Sequence, residues 1–540
     1  MKDISSTGSF INFYLNNYIY VDKTKYIRDL IKLERVFISR PRRFGKSLTL
    51  DTIATLFETG VEPYFKGTWI YDKWTEPTYP VFRLSFLNLD NFSIDEFKSE
   101  LNSKITDFAN KISVKGYVEK SEPENSIEGL LERLREEKRQ IVFLIDEYDY
   151  QLTSNINNDD LYKQFQHKIK RFYANIKNKW AIKFLGITGV TRLKDVEIFS
   201  IGSDIRDITN ASAYSQMIGF TRDEIKKYYI DYLKLAASYE NNCNVNNVTE
   251  AQIESLLDRL AKNYDGYCFD EDYEKKVFST WSVNTFLQSV VDKKKVQFGE
   301  YWYDNGGLPS ILVNYLKTHE LNIFEYLDKD KFLKVSSDDF KNPTALTTIN
   351  QNVLMCQTGY LTLRSDLNKT STVALGIPNG EIYKALNRLL ANNIFKGNTD
   401  ITDDYGRSLL EVGTVDDIIN LFNSALNSVS YDNYPIVSES SVQNMLKLYL
   451  LGAHQKVLSE VHEAKGRADL VVNTDNRRIV FEFKYAKNET EAKSKLLDAV
   501  EQIKTRDYGN IVPKKTELLR IAAVFNAAPK VRSFTEYQAV

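Results

Sequence analysis

Short apolar runs alternate with amphipathic segments along the first two hundred residues. Four of these runs have the length and composition of buried parallel strands: RVFIS at 35–39, YPVFRLSF at 79–86, IVFLI at 141–145 and KFLGITGV at 183–190. Helical patterns such as SLTLDTIATLFE separate them. The alternation predicts an α/β core with a parallel sheet.

The pattern changes at about residue 216, where helical spacing replaces strand-like runs. TRDEIKKYYIDYLKLAA and TEAQIESLLDRLAKNY each place apolar residues along one helical face, which predicts a helical module. Segment 350–385 contains a strand candidate, QTGYLTL, then a loop at IPNGE and a further helix. We interpret it as a connecting segment with some structure of its own.

The last hundred residues return to an α/β alternation. They read as a helix SSVQNMLKLYLL, strands ADLVV and RRIVFEFKYA joined by NTDN, a helix EAKSKLLDAVEQIKTR and a final strand LLRIAAVF. The asparagine and aspartate residues of NTDN suit a hairpin turn. A second α/β domain is therefore expected at the C-terminal end.

The composition restricts the class of protein but does not indicate a function. The chain has 540 residues, 43% hydrophobic and 27% charged, which is typical of a folded protein with several domains. A net charge of −2 means that any nucleic-acid surface must be a local patch. The three cysteines lack CxxC spacing, which argues against zinc or a disulfide framework. No apolar run approaches the ~20 residues of a membrane span, so we expect a cytoplasmic protein with no membrane partner.

The first candidate for chemistry lies between a predicted strand and helix, in RPRRFGKS at 40–47. This is the context of a phosphate-binding loop, where backbone N–H groups and the helix N-terminus wrap phosphates. Lys46 would reach the β- and γ-phosphates, and Ser47 would ligate Mg²⁺. The full pattern has glycine where Arg40 stands. The expected nucleotide contacts in the loop are Arg43, Phe44, Gly45, Lys46, Ser47 and Leu48.

A second motif supports the first, because IVFLIDEYD is an apolar strand that ends in two carboxylates. Asp146 is placed to hold Mg²⁺ through water, and Glu147 to orient or deprotonate the attacking water. The alternative interpretation is a basic turn and an unrelated acidic pair at the surface. Agreement between the two halves favours an ATP site.

Several arginines allow two interpretations. Arg192, after the strand KFLGITGV and near Thr188 and Thr191, could stabilise charge on a γ-phosphate or pair with an acidic neighbour. Arg40, Arg42 and Arg43 could bind phosphate or form a solvated basic loop. The pattern does not choose between these alternatives.

The second candidate site lies in the C-terminal strand pair. Asp469 lies at the head of one strand, and Glu482 and Lys484, two residues apart, share a face of the next. Two carboxylates that hold Mg²⁺ or Mn²⁺, beside a lysine that orients the nucleophile, perform phosphodiester hydrolysis. Other ExK triplets occur in the chain, but this one lies inside an apolar strand, where unpaired charges are costly. The alternative is an edge strand with its charges in solvent.

Three further residues flank this candidate site. Glu439 opens the helix before the strand pair, where it could be a third metal ligand or an acidic residue favoured by the helix dipole. Gln502 and Tyr508 are placed in the helix after the strand pair. They are additional candidates without an assigned role.

With these residues identified, the chain resembles a family of bacterial AAA-ATPase-like proteins that usually carry a C-terminal PD-(D/E)XK nuclease-superfamily domain. The resemblance rests on the segments YVDKTKYI, RPRRFGKS, LIDEYD, TGVTRL, YDGYCF, WSVNTFL, QTGYLTL, IPNGE, GRADL and FEFK. The family's own phosphate loop looks like RPRRFGKS, which implies that Arg40 is normal there. The resemblance also implies a nucleotide role for Lys46 and Ser47, and places Glu439 and Gln502 where the superfamily often has a helix glutamate and glutamine.

The implied fold is an α/β multidomain protein with an AAA/STAND-like P-loop NTPase sheet. We expect this domain at 1–215, a helical module of winged-helix or lid type at 216–345, a connecting segment at 346–430 and a PD-(D/E)XK nuclease-like domain at 431–540. The implied cofactors are ATP and Mg²⁺, with Mn²⁺ as an alternative at the nuclease site.

Three functions compete. The first is an ATP-hydrolysing switch that controls a metal-dependent nuclease. Its expected substrate is nucleic acid, with DNA favoured over RNA, and defence against foreign DNA is one biological role that this activity would serve. The second is an ATP-dependent nucleic-acid-binding or signalling scaffold that does not cleave. The third is a motor-like homo-oligomer. Intact Asp469, Glu482 and Lys484 favour the first.

Overall fold

The computed structural model describes residues 1–193, 204–304, 310–317, 319, 323–343, 345–395, 404–453, 455–463, 466–508 and 517–540. The chain divides into two compact units. The first consists of Met1–His319 and Asp330–Ile382, and the second of Glu320–Lys329 and Tyr383–Val540. Within the described ranges, no helix has the length and apolar character needed to cross a membrane.

The helices of the described residues follow in chain order. They are α1 (Phe10–Leu15), α2 (Thr24–Ile31), α3 (Lys46–Thr59), α4 (Ile94–Lys111), α5 (Pro123–Glu136), α6 (Tyr150–Ser154), α7 (Asp159–Ile176), α8 (Arg222–Tyr228), α9 (Ile230–Asn241), α10 (Glu250–Tyr264), α11 (Thr280–Lys293), α12 (Tyr301–Asp304), α13 (Ser310–Leu316), α14 (Ser337–Lys341), α15 (Gln351–Gln357), α16 (Gly380–Ile394), α17 (Asp404–Val412), α18 (Val415–Asn427), α19 (Glu439–Gly452) and α20 (Glu489–Arg506).

The strands of the same residues form three sheets. They are β1 (Arg35–Ser39), β2 (Val81–Ser85), β3 (Ile141–Asp146), β4 (Ile182–Gly189), β5 (Arg206–Asp207), β6 (Leu333–Ser336), β7 (Thr362–Leu363), β8 (Thr372–Gly376), β9 (Lys456–Glu463), β10 (Gly466–Asn473), β11 (Arg477–Ala486), β12 (Glu517–Asn526) and β13 (Ser533–Ala539).

The sheet of the N-terminal domain is parallel, with the described strands in the order β2-β3-β4-β1-β5. The predicted α/β core is therefore confirmed. Every residue of β1 is buried, as expected for strands covered on both faces. In register, Ser85 lies opposite Asp146 and Ser39 opposite Gly189, so these strands end at one edge of the sheet. That edge carries the loops in which ligands bind in open α/β sheets.

The helical middle module, also confirmed, is built around α8 to α11. Its core is a cluster of buried aliphatic and aromatic side chains that includes Leu233, Leu256, Leu260 and Phe286. The single helix predicted for TRDEIKKYYIDYLKLAA is wrong in one respect, because α8 and α9 are separated at Tyr229. The buried Tyr229 hydroxyl donates to Asn284 Oδ1 at 2.7 Å, and its backbone leaves helical geometry at φ −113°.

A small antiparallel sheet, in the order β6-β8-β7, follows the helical module. The strand predicted for QTGYLTL is largely wrong, because Gln357 ends α15 and the strand contains only Thr362–Leu363. The strand β6 at Leu333–Ser336 lies within the range predicted to be helical. Its four residues are too few to give a strand signal distinguishable from a loop.

The C-terminal domain has a sheet of five described strands in the order β13-β12-β11-β10-β9. The predicted hairpin is confirmed by antiparallel pairing of β10 with β11. β11 and β12 are parallel and are joined through α20, the crossover that a parallel pair requires. The strand predicted as the last, LLRIAAVF, is followed by β13, and β9 precedes the predicted pair. These two edge strands mix charged and apolar residues, which weakens their signal.

Candidate functional site

The loop between β1 and α3 presents its backbone at the edge where the parallel strands end. Gly45 has φ 102°, a conformation that favours glycine, and Arg43 also has a positive φ of 69°. α3 begins at Lys46, whose buried ammonium donates to the carbonyl oxygens of Arg40 at 2.9 Å and Pro41 at 3.1 Å. Burial lowers the pKa of Lys46, although the carboxylate of Asp146 opposes this shift.

The carboxylate of Asp146 connects the loop to two neighbouring strands. The hydroxyl of Ser47 donates to Asp146 Oδ2 at 2.6 Å, and the hydroxyl of Thr188 donates to Oδ1. The structure therefore brings Ser47 and Asp146, predicted to share Mg²⁺, into direct contact. A hydroxyl and a carboxylate are oxygen ligands of the kind that Mg²⁺ prefers.

Glu147 lies next to this pair and differs from it in environment. Its φ of 50° places it in the left-handed region, which is uncommon for a residue with a side chain. Burial raises the pKa of Glu147, and the nearby ammonium of Lys46 opposes the rise. A carboxylate with a raised pKa is suited to accept a proton from water.

Asp149 positions this edge of the sheet, although the sequence interpretation did not single it out. Its buried carboxylate accepts from Thr191 N at 2.7 Å, Thr191 Oγ1 at 2.6 Å and Val190 N at 3.2 Å. These bonds fix the end of β3 to the segment after β4. The signal was present as the second aspartate of LIDEYD.

Arg40 takes neither of the two roles considered for it. It is 1% exposed and donates to the carbonyl oxygens of Thr209 at 2.6 Å and Ser39 at 2.9 Å. Its guanidinium lies 4.1 Å from the ring centre of Phe269. Burial lowers the pKa of Arg40 to about 9, although Asp207 opposes the shift. Arg40 thus supports the loop from beneath instead of meeting phosphate or solvent.

Two other loop residues turn their side chains towards neighbouring elements. The guanidinium of Arg43 lies 4.5 Å from the ring centre of Trp281 and donates to Tyr301 O at 3.3 Å. Phe44 is buried, with its ring 4.7 Å from that of Tyr267. Both residues also line the cavity above the loop, and their nucleotide contacts stay predictions.

Arg192 is paired with an acidic neighbour, the second of its two predicted alternatives. Its Nε forms an ion pair with Asp207 Oδ2, and its backbone N–H donates to Gln357 Oε1 at 3.4 Å. The side chain does not belong to the lining of the cavity above the phosphate loop.

That cavity has a volume of about 530 Å³, within the range of small-molecule sites. Its lining includes Lys46, Ser47, Leu48 and Glu147 of the two motifs. It also includes apolar and aromatic side chains, among them Tyr20, Val21, Ile27, Ile218 and Phe220. A lining that combines charged and apolar groups suits the two chemical parts of a nucleotide, the phosphates and the base.

The second site lies on the paired strands β10 and β11. Leu470 lies opposite Phe481, and Asp469 Oδ2 accepts a hydrogen bond from Phe483 N at 2.8 Å. Phe483 separates Glu482 from Lys484, so this bond holds Asp469 against the predicted ExK triplet. Gln443 of α19 also donates to the backbone oxygen of Asp469.

Glu482 is buried inside β11, and its two carboxylate oxygens differ. Oε1 accepts from Lys484 Nζ at 2.8 Å, whereas Oε2 is buried without a hydrogen-bond partner among the described residues. Burial raises the pKa of Glu482 to about 7, repulsion from Asp469 adds to the rise, and Lys484 opposes it. A buried carboxylate with a free oxygen fits a bound cation.

Glu439, the first residue of α19, forms an ion pair with Lys484. Lys484 Nζ lies 3.5 Å from Glu439 Oε1. In the part of the chain that the structure describes, no three histidine, cysteine, aspartate or glutamate side chains form a group that could hold a metal ion. The acidic pair Asp469 and Glu482 fits a cation, whereas Glu439 joins it only through the lysine.

Arg506 lies beside these carboxylates and was not among the candidates. It donates to the hydroxyl of the buried Tyr508 at 2.9 Å, as Gln502 does at 3.3 Å. Gln502 lies in α20 as predicted, whereas Tyr508 lies after this helix, which ends at Arg506 because Asp507 takes a left-handed conformation. A Cβ on Gly466 would lie 2.5 Å from Arg506 Cδ, so this glycine leaves room for the arginine. The hydrogen bond with Tyr508 is the largest cause of a raised pKa of Arg506, and attraction by Glu482 and other groups adds to the rise. In the sequence, the position of Arg506 four residues after Gln502 is the signal that could have identified it as a site residue.

Comparison with known proteins gives two family matches. Residues 5–199 match the model of a predicted AAA-ATPase family, and residues 437–534 match the PD-(D/E)XK nuclease superfamily. The two motifs of the nucleotide site and the acidic pair of the second site lie within these ranges. The domain limits expected at residues 215, 345 and 430 stay predictions.

One curated relative matches along the chain. It is an uncharacterized protein in the vnfD 5' region of Azotobacter chroococcum mcd 1, 25% identical over 525 residues, which cover 94% of this chain and 93% of the relative. The solved structures that match include Cdc6p from Pyrobaculum aerophilum and the Aeropyrum pernix ORC1 protein in complex with DNA. Cdc6p is 10% identical, and the match covers 68% of this chain and 92% of that chain. The ORC1 protein is 11% identical, and the match covers 71% of this chain and 97% of that chain. Their TM-scores of 0.22 and 0.26 are too low to support an inference.

Proposed function

We propose that the chain binds and hydrolyses ATP and thereby controls metal-dependent cleavage of nucleic acid, with DNA favoured over RNA as the substrate. The proposal rests on the combination of an AAA-ATPase-like domain at residues 5–199 with a PD-(D/E)XK nuclease-superfamily domain at 437–534. The observation that carries the nuclease part is Glu482, a buried carboxylate with one oxygen lacking a hydrogen-bond partner among the described residues, held close to Asp469 and Lys484.

In the nucleotide site, Lys46 exchanges its bonds to the loop carbonyls of Arg40 and Pro41 for the phosphates of ATP. These phosphates then compensate the charge of an ammonium that is buried in the absence of ligand. Ser47 and Asp146 are the residues that would hold Mg²⁺, which supplies charge neutralisation at the phosphates when bound. Glu147 takes the proton of the attacking water.

In the nuclease site, Asp469 and Glu482 are the residues that would hold Mg²⁺ or Mn²⁺. The ion, when bound, lowers the pKa of water and neutralises the scissile phosphate. Lys484 then exchanges part of its interaction with Glu482 for the nucleophile, which it orients. The hydrogen bond from Phe483 N fixes the direction of the Asp469 carboxylate, so the acidic pair is arranged before the substrate binds.

A specific observation supports a second candidate function, a scaffold that uses ATP to change shape and binds nucleic acid without cleaving it. Lys484 contacts both Glu482 and Glu439. If this ion-pair network stayed intact with metal present, the site would be structural. A motor-like homo-oligomer has less support, because Arg192, its candidate sensor, is paired with Asp207.

The full chain should be incubated with Mg²⁺ or Mn²⁺ and single- and double-stranded DNA and RNA. The proposal expects cleavage that Asp469→Ala abolishes, and ATP turnover that Lys46→Ala abolishes. The exposed variant Lys504→Ala controls for a general loss of charge. ATP turnover without cleavage of any substrate would favour the scaffold, and cleavage that persists in Asp469→Ala would contradict the assigned nuclease site.

A further inference from the structure

The phosphate loop contains three arginines, and one of them is not engaged by the fold. Arg42 makes no hydrogen bond or ion pair with any residue in the described part of the chain. Its half-buried side chain lines the cavity above the loop together with Lys46, Ser47 and Glu147. A guanidinium carries five N–H donors in a planar fork, which suits phosphate oxygens.

The two neighbouring arginines, Arg40 and Arg43, have side chains that contact other residues of the fold. Arg40 is buried and donates to backbone carbonyls beneath the loop, and Arg43 stacks on Trp281. Arg40 is thereby kept out of the cavity lining, whereas Arg43 lines the cavity but has its guanidinium held by Trp281 and Tyr301. Arg42 and Arg43 both line the cavity, and of these two Arg42 is the one whose guanidinium makes no hydrogen bond, ion pair or ring contact among the described residues.

The surroundings of Arg42 indicate which part of a nucleotide it would meet. Its charge acts on both Lys46 and Glu147, lying close enough to repel the first and attract the second. Arg42 and Glu147 also share the wall of a smaller neighbouring cavity with Tyr150. Lys46 is expected at the β- and γ-phosphates and Glu147 at the attacking water, so Arg42 lies on the γ-phosphate side.

We propose that Arg42 is a catalytic residue that contacts the γ-phosphate of ATP bound in the same chain, so that one chain supplies the complete hydrolytic site. The inference rests on the proposed ATP hydrolysis and specifies which residue stabilises its transition state. A cationic donor aimed at the γ-phosphate acts where negative charge develops, and it distinguishes ATP from ADP because ADP lacks that group.

The reaction is the hydrolysis of ATP to ADP and phosphate. The water oxygen forms a bond to the γ-phosphorus, and the bond from phosphorus to the β,γ-bridging oxygen breaks, with its electron pair leaving on ADP. The carboxylate of Glu147 accepts the water proton and later releases it to solvent. Arg42 donates hydrogen bonds to the γ-phosphate oxygens throughout and is not consumed.

Steady-state ATP turnover of the full chain with Mg²⁺ separates binding from catalysis. An arginine that stabilises the transition-state charge of phosphoryl transfer is worth roughly 10³–10⁵ in kcat, so we expect kcat to fall about 100-fold or more in Arg42→Ala, with KM changing much less. Arg42→Lys should restore only part of the rate, because lysine lacks the fork. Arg133→Ala, on the exposed face of α5, is the matched control. An unchanged kcat in Arg42→Ala would overturn the inference.

A mixing experiment tests whether Arg42 acts within its own chain. Arg42→Ala retains Lys46, and Lys46→Ala retains Arg42, so a mixture regains turnover only if Arg42 serves a neighbouring chain. We expect no recovery, and recovery would overturn the single-chain site. If the wild-type chain and Arg133→Ala bind ATP but do not hydrolyse it, the proposed ATPase itself is wrong. If they hydrolyse it and Arg42→Ala does so equally well, only the role of Arg42 is wrong.

Discussion

Metal binding at the nuclease site should release a proton from Glu482. Burial raises the pKa of this carboxyl to about 7, and a carboxyl must be ionised to ligate a metal. With a pKa of about 7, roughly nine-tenths of the groups are protonated near pH 6 and roughly one-tenth near pH 8. We therefore expect about 0.9 proton released per metal ion near pH 6 and about 0.1 near pH 8. The apparent affinity should rise about tenfold across that range, or about 1.4 kcal/mol.

Calorimetric titration of the full chain with Mn²⁺, without nucleotide, measures this release. Repeating the titration in two buffers that differ in ionisation enthalpy gives the number of protons lost per ion. Glu482→Gln removes the titrating group and should abolish the release, whereas the exposed Glu136→Gln should retain it. A metal affinity independent of pH, or equal proton release from Glu482→Gln, would refute the reasoning.

The same pKa predicts how metal-free stability depends on pH. The folded-state pKa of Glu482 is about 7, above its ordinary value of 4.5, so the folded protein keeps a proton that the unfolded chain loses. The stabilisation is fully present below about pH 4.5 and is lost as pH rises through about 7, by at most about 3 kcal/mol. Unfolding in a chelator should show this decline in the wild type but not in Glu482→Gln.

Three further variants test the remaining contacts. Glu147→Gln should keep ATP binding but lower turnover about 100-fold, as measured by phosphate release, because the amide cannot accept the water proton. Asp149→Ala should lower the free energy of unfolding by about 3 kcal/mol in denaturant titrations, because it leaves buried donors of Val190 and Thr191 unpaired. Arg506→Ala should weaken nucleic-acid binding and reduce the slope of log affinity against log salt by about 1, if its exposed donors contact a phosphate; an unchanged slope would exclude that contact.

The sequence predicted the parts of the fold whose residues are buried on both faces. β1 is buried along its whole length and β3 along all but its last residue, Asp146, and such burial on both faces gives a parallel strand its apolar run. β9 and β13 were missed because they lie at the edges of the C-terminal sheet, where charged and apolar residues are mixed. The break at Tyr229 was also missed, because TRDEIKKYYIDYLKLAA contains no proline or glycine to mark it.

The candidate sites show a division between local and distant causes. The proximity of Ser47 to Asp146 follows from two motifs that lie after β1 and at the end of β3, strands of one parallel sheet, and a sequence interpretation can find it. The burial of Arg40 cannot be found in this way, because its partners Thr209 and Phe269 are distant in the chain. Whether a charged residue binds a ligand or supports the fold is decided by such partners.

The most direct test of the central claim is the rate of nucleic-acid cleavage by the full chain with and without ATP, in the presence of Mg²⁺ or Mn²⁺. The account predicts that the rate changes with nucleotide in the wild type, does not respond to nucleotide in Lys46→Ala and is absent in Asp469→Ala. Cleavage at one rate with and without ATP, and equally in Lys46→Ala, would contradict control of the nuclease site by the nucleotide site.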